Sequence, residues 1–181
     1  MKPMPIGAFW TTTLALAWPG LALADCKPVI AAYTKADATK RYALFDVDSM
    51  AAPAKGDPII IVIGDTRYQP NMVRKGPLNI VMDGYTKGPF TSSGEAASLK
   101  DREGKGEKRC EPLGERKVGT EALVGYRVRD AGSQPDITAT DVWLSRATGL
   151  PVWHGLGSDD GGFRWVYGAA VVAPAADKVR K

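Results

Sequence analysis

From residue 41 onward the apolar residues of this chain recur with a period of two. RYALFDVDS, DPIIIVIG, DTRYQP, LNIVMDGY, EALVGYRVRD and GFRWVYGAAVVAP are short β-type runs separated by Gly, Pro and Asp. A twofold period sends alternate side chains to opposite faces of a strand, whereas a helix needs apolar residues three and four apart to form one stripe. In EALVGYRVRD, Ala122, Val124, Tyr126 and Val128 point one way. Glu121, Arg127 and Arg129 point the other way, together with Leu123 and Gly125. That alternation implies an antiparallel sheet with one buried and one wet face. About eight or nine strands in meander order predict a strongly curved antiparallel sheet or open half-barrel, an α+β fold that is mostly β.

One segment reads as a helix. DCKPVIAAYTKADATK has Asp25 as its N-cap, Pro28 in the first turn and Val29, Tyr33 and Ala36 at helical spacing, which predicts a helix over about 27–38. Ahead of it, residues 1–24 carry Lys2, an apolar run from Ile6 to Trp18, a Pro19-Gly20 breaker and an Ala22-Leu23-Ala24 ending. This is the pattern of an export signal cut after Ala24. The run falls short of the about 20 apolar residues a spanning helix needs.

The two cysteines then acquire meaning. In an exported chain, Cys26 and Cys110 are expected to form a disulfide that closes a loop of about 84 residues. Asp25 before Cys26 argues against lipidation of that cysteine. Removing the leader takes away one lysine and no acid, leaving a net charge of about +3. The basic run at 99–109 is interleaved with Asp101, Glu103 and Glu107 and contains no aromatic residue. It therefore lacks the one-signed stripe of a nucleic-acid binder. The polar interval from about 86 to 108 reads as a long solvated loop, and residues 175–181 as a polar tail after a single domain at 25–174.

The stretch DVWLSRATGLPVWHGL, residues 141–156, contains the only histidine. Ala147-Thr148-Gly149 supplies a hairpin turn with Gly149 at the left-handed position. Pairing around it sets Trp143 opposite Trp153 and His154 beside Val142. Val142, Leu144, Val152 and His154 then share one face, so His154 reads as a sheet histidine. A general base would need an orienting acid and a nucleophile within reach. Asp159 and Asp160 stand in a glycine-rich turn, and no Gly-x-Ser-x-Gly elbow is present. One histidine and two bridged cysteines leave no zinc set. GSDDGG lacks EF-hand spacing, and GKGEK is not a phosphate-binding loop. These observations predict a non-catalytic protein with no cofactor, no metal and no nucleic-acid partner.

The order of a short helix at Cys26-x-x-Val29, a strand meander, GTEALVGYRVRD, DVWLSRATGLPVWHG and a closing WVYGAAVVAP resembles small exported bacterial proteins of LolA/LolB-like type. The most specific elements are the Trp-x-Ser-x-x-Thr-Gly-Leu-Pro hairpin and the Gly-x-Glu-x-x-x-x-Tyr strand, which cover about a quarter of the chain. The resemblance implies a half-open barrel with a helix over its concave side. It also implies carriage or sensing of a hydrophobic molecule in the periplasm. The arginine and covering helices that lipoprotein carriers rely on cannot be placed on this chain. Tyr126, Trp143, Trp153, Phe163, Trp165 and Tyr167 are the expected ligand-lining aromatics. The partners expected are a lipid or other amphiphile, or, for an envelope interaction protein without a small ligand, another envelope protein.

Overall fold

The computed structural model describes residues 25–75, 80–132, 139–155 and 160–180. The expected export signal and most of the glycine-rich turn with Asp159 lie outside the described residues. Helix α1 (Lys27–Thr39) is followed by strands β1 (Arg41–Ser49), β2 (Ile60–Ile63), β3 (Thr66–Arg74) and β4 (Ile80–Pro89), then helix α2 (Glu95–Gly104). Strands β5 (Lys108–Val118), β6 (Glu121–Asp130), β7 (Thr140–Ser145), β8 (Pro151–Gly155), β9 (Asp160–Tyr167) and the short β10 (Val179–Arg180) complete the chain. All ten strands join one open sheet in the order β10-β4-β3-β2-β1-β9-β8-β7-β6-β5. Every pairing is antiparallel except β10 with β4. The mostly β fold with an N-terminal helix agrees with the sequence reading, and the sheet does not close into a barrel.

Several expectations need correction. The polar interval is not one long loop, because residues 95–104 form α2, which buries a single apolar side chain, Leu99. Residues 179–180 are not a free polar tail, because they add a parallel strand to β4 (Val179 opposite Tyr85). The N-cap of α1 is Cys26 rather than Asp25. The helix ends at Lys40, whose φ of 49° reverses the chain into β1.

Both faces of the sheet carry apolar clusters, so the one-wet-face expectation also fails. On the helix-covered face, Val29, Ala32, Tyr33 and Ala36 of α1 pack with Tyr42, Leu44, Val62, Val128, Val142, Leu144 and Trp165. On the opposite face, Val47, Met50, Leu123, Trp143 and Trp153 form a second cluster, and Val152 packs against it rather than with His154. A third cluster of Ala43, Ile61, Tyr85 and Val171 lies on that opposite face. It is covered by the C-terminal segment, whose Gly168 and Val171 carbonyls accept from the Arg41 guanidinium at 3.1 and 2.9 Å.

The register of the 141–155 hairpin is the one its sequence implies. Val142 faces His154 and Trp143 faces Trp153, with a bulge before Leu144–Pro151. Gly149 adopts φ 67° in the turn. The two tryptophans lie flat on the sheet because glycines beneath them leave room. A Cβ on Gly125 would come within 2.7 Å of the Trp143 ring, and one on Gly155 within 1.9 Å of the Trp153 ring. Gly155→Ala is therefore expected to cost about 2–3 kcal/mol through overpacking. Gly88→Ala, with nothing near its added methyl, is expected to be near neutral. Urea unfolding of the two variants checks this, and equal midpoints would refute the packing role.

Candidate functional site

The helix layer over the sheet is built from three cross-links. A disulfide joins Cys26, at the start of α1, to Cys110 in β5. The Cys26 backbone N–H donates to Glu103 of α2 at 2.5 Å, so an acid at the end of one helix satisfies a free donor at the start of the other. Asp37 of α1 accepts from the Ser93 N–H at 3.0 Å and from its hydroxyl at 3.1 Å, just ahead of α2. These links hold α2 above the sheet as a roof, with Glu95 in its first turn pointing toward β8 and β9.

Two adjoining cavities lie beneath that roof. The smaller, about 80 Å³, is lined by Tyr42, Leu44, Ile60, Arg67, Ser93, Glu95, His154 and Trp165. The larger, about 170 Å³, is lined by Tyr33, Ser98, Leu99, Arg102, Lys108, Val128, Thr140 and Val142, and shares Glu95 and His154 with the first. Their aromatic wall is continuous. Tyr42 lies 5.0 Å and Tyr33 6.1 Å from the Trp165 ring, and Trp165 stacks on Tyr167 at 6.1 Å. The Tyr167 hydroxyl is spent on the Pro151 carbonyl at 2.8 Å. Burial pushes the Tyr33, Tyr42 and Tyr167 hydroxyls well above the ordinary phenol range, so all three remain neutral.

Of the six aromatics singled out by sequence, Tyr126, Phe163, Trp165 and Tyr167 belong to this helix-covered face. Trp143 and Trp153 do not. They occupy the opposite face, because the strand pleat that puts His154 under the helices turns both of them away. Phe163 meets the His154 ring edge-on at 5.5 Å. Sequence reasoning missed Tyr42, Arg67, Ser93 and Glu95. Arg67 sits in a run that reads as an ordinary strand, and Glu95 is brought to the site only by a helix that the sequence does not announce.

The polar groups at the smaller cavity differ in how far the protein satisfies them. The Trp165 indole N–H is buried and has no acceptor. Arg67 makes no ion pair among the described residues. It donates at 3.1 Å to the Gln69 side-chain oxygen when that amide is turned toward it. Glu95 has no side-chain hydrogen bond among the described residues. Burial, and then the nearby Asp37 carboxylate, raises its pKa. Burial lowers the pKa of His154, which keeps the imidazole neutral. By contrast, Arg102 and Lys108 on the larger cavity are neutralised by Asp130 at 2.8 and 2.9 Å. The site can thus hold a small polar head against an aromatic wall. The Ser93 hydroxyl at its rim donates to Asp37.

A further cavity, about 280 Å³, lies on the opposite face between the sheet and the C-terminal segment, lined mainly by Ala43, Phe45, Ile61, Val166 and residues 170–175. The Cys26–Cys110 pairing is as the sequence implies, and no helix among the described residues is long and apolar enough to cross a membrane. Comparison with family models, with curated proteins and with solved structures finds no match for this chain.

The lowered pKa of His154 has a consequence for stability. As pH falls below the ordinary histidine value of 6.5, the unfolded chain takes up a proton before the folded one does. Stability present above that value is therefore lost as pH falls through the folded pKa. Glu95, whose pKa is raised, works oppositely from 4.5 upward, since its folded form resists ionisation. Between about pH 7 and about pH 5, His154→Gln should flatten the fall in unfolding free energy while leaving the Glu95 contribution in place. Parallel pH profiles for the two proteins would show that folding does not lower the His154 pKa.

Proposed function

We propose that this chain is an exported, non-catalytic binding protein for a compact amphipathic molecule held between the helix layer and the sheet. The observation that carries the reading is the convergence of Arg67, Glu95 and His154 on one aromatic-walled cavity. Ligand sites are typically apolar recesses in which a few placed polar groups fix orientation. The disulfide supports an oxidising compartment such as the periplasm. An open sheet with helices on one face is the architecture that the LolA/LolB-like resemblance implies, and it supports that relationship as a proposal. The ligand is smaller than the acyl chains of a lipoprotein, because neither cavity between α2 and the sheet reaches the ~300 Å³ at which pockets for drug-sized molecules begin.

A second reading, an envelope interaction protein without a small ligand, draws on Met72 and Ile80. These large apolar side chains on the neighbouring strands β3 and β4 are 58% and 55% exposed. Native mass spectrometry of the protein purified from the envelope separates the two. The binding reading predicts a co-purifying molecule well below phospholipid size, with occupancy reduced about tenfold by Arg67→Gln, the size of effect a lost charge-assisted hydrogen bond produces. A ligand-free chain that instead co-purifies with one protein in fixed ratio would favour the interaction reading.

A further inference from the structure

The charges at the helix-side cavity are of both signs, and that narrows the ligand. Arg67 calls for an anion. Glu95, on the same cavity, calls for a cation or a strong donor. The two residues form no ion pair with each other among the described residues, so neither cancels the other's demand. The neutral His154 ring stands between the two compartments and can accept a proton donor as readily as give one.

Resting on the binding reading above, we propose that the ligand is a compact zwitterion of the α-amino-acid type. Its carboxylate is held by Arg67, and its ammonium by Glu95 with His154 as the second acceptor. The apolar body enters the neighbouring compartment among Tyr33, Leu99, Val128 and Val142. The size agrees. The two spaces, about 80 and 170 Å³, suit a small molecule such as a branched amino acid rather than a long acyl chain. A simple carboxylate would meet Arg67 but be repelled by Glu95. A simple amine would meet Glu95 but leave Arg67 without an anion.

The test is calorimetric titration of the disulfide-intact protein, stripped of bound molecules, with L-valine, isovalerate and isobutylamine. The last two are valine without its ammonium and valine without its carboxylate. Valine is expected to bind, and each analogue to bind at least about tenfold more weakly. Glu95→Gln should bring valine and isovalerate close to equal, and Arg67→Gln should remove the preference of valine over isobutylamine. The three-ligand comparison on the unaltered protein needs no variant to fold. Isovalerate or isobutylamine binding as tightly as valine would overturn the zwitterion while leaving the binding reading intact. No heat from any of the three, together with a co-purified ligand that carries a single charge or none, would do the same. No heat and no co-purified molecule would overturn both.

Discussion

The covalent bond between Cys26 and Cys110 is the constraint on which the helix-covered side of this protein rests. A helix of 13 residues is marginal alone in water, and α1 adds no side-chain cap. Its far end runs directly into β1, in the middle of the sheet, while the disulfide fixes its near end to β5 at the sheet edge. With both ends held, the helix lies across β7 and β8 and buries Val29, Ala32, Tyr33 and Ala36. The second helix has less to hold it, with one buried leucine. It depends on Glu103 reaching the Cys26 N–H and on Asp37 holding Ser93. The disulfide therefore positions α1, α1 positions α2, and α2 closes the cavity over His154.

The sheet beneath is stabilised from its other side by different means. Trp143 and Trp153 lie over Gly125, Gly155 and Gly162, so large rings replace the side chains those glycines lack. The C-terminal segment covers Ala43, Ile61 and Tyr85, with Val171 as its buried anchor. At Gly84, whose φ is 78°, a side chain would strike the Lys178 carbonyl, so the close approach of that segment to β4 requires glycine. Two faces packed independently leave the helix-side cavities free to be lined by polar groups without the core losing its integrity.

Much of this was legible because it follows from local period and covalent chemistry. Twofold alternation announced the strands, and Ala147-Thr148-Gly149 set the register that puts His154 under the helices and the two tryptophans away from them. The pair of cysteines, in a chain whose first residues read as an export signal, announced the bridge. What was not legible depends on contacts between distant segments. Helix α2 has almost no apolar stripe, so nothing in residues 95–104 sets it apart from a solvated loop. Leu123, read as a solvent-facing residue, is buried because Trp143 and Met50 arrive beside it from other strands. Arg67 and Glu95 become a site only when β3 and α2 are brought over the same cavity.

The binding reading follows from that assembly, since Arg67, Glu95 and His154 meet at the space that α2 encloses. Hydrogen exchange on the oxidised and the gently reduced protein tests the dependence most directly. We expect reduction to strip protection from α1 and α2 while β1, β7, β8 and β9 retain theirs. Unchanged protection in both helices, or equal loss across the central strands, would show that the disulfide does not hold the roof of the site.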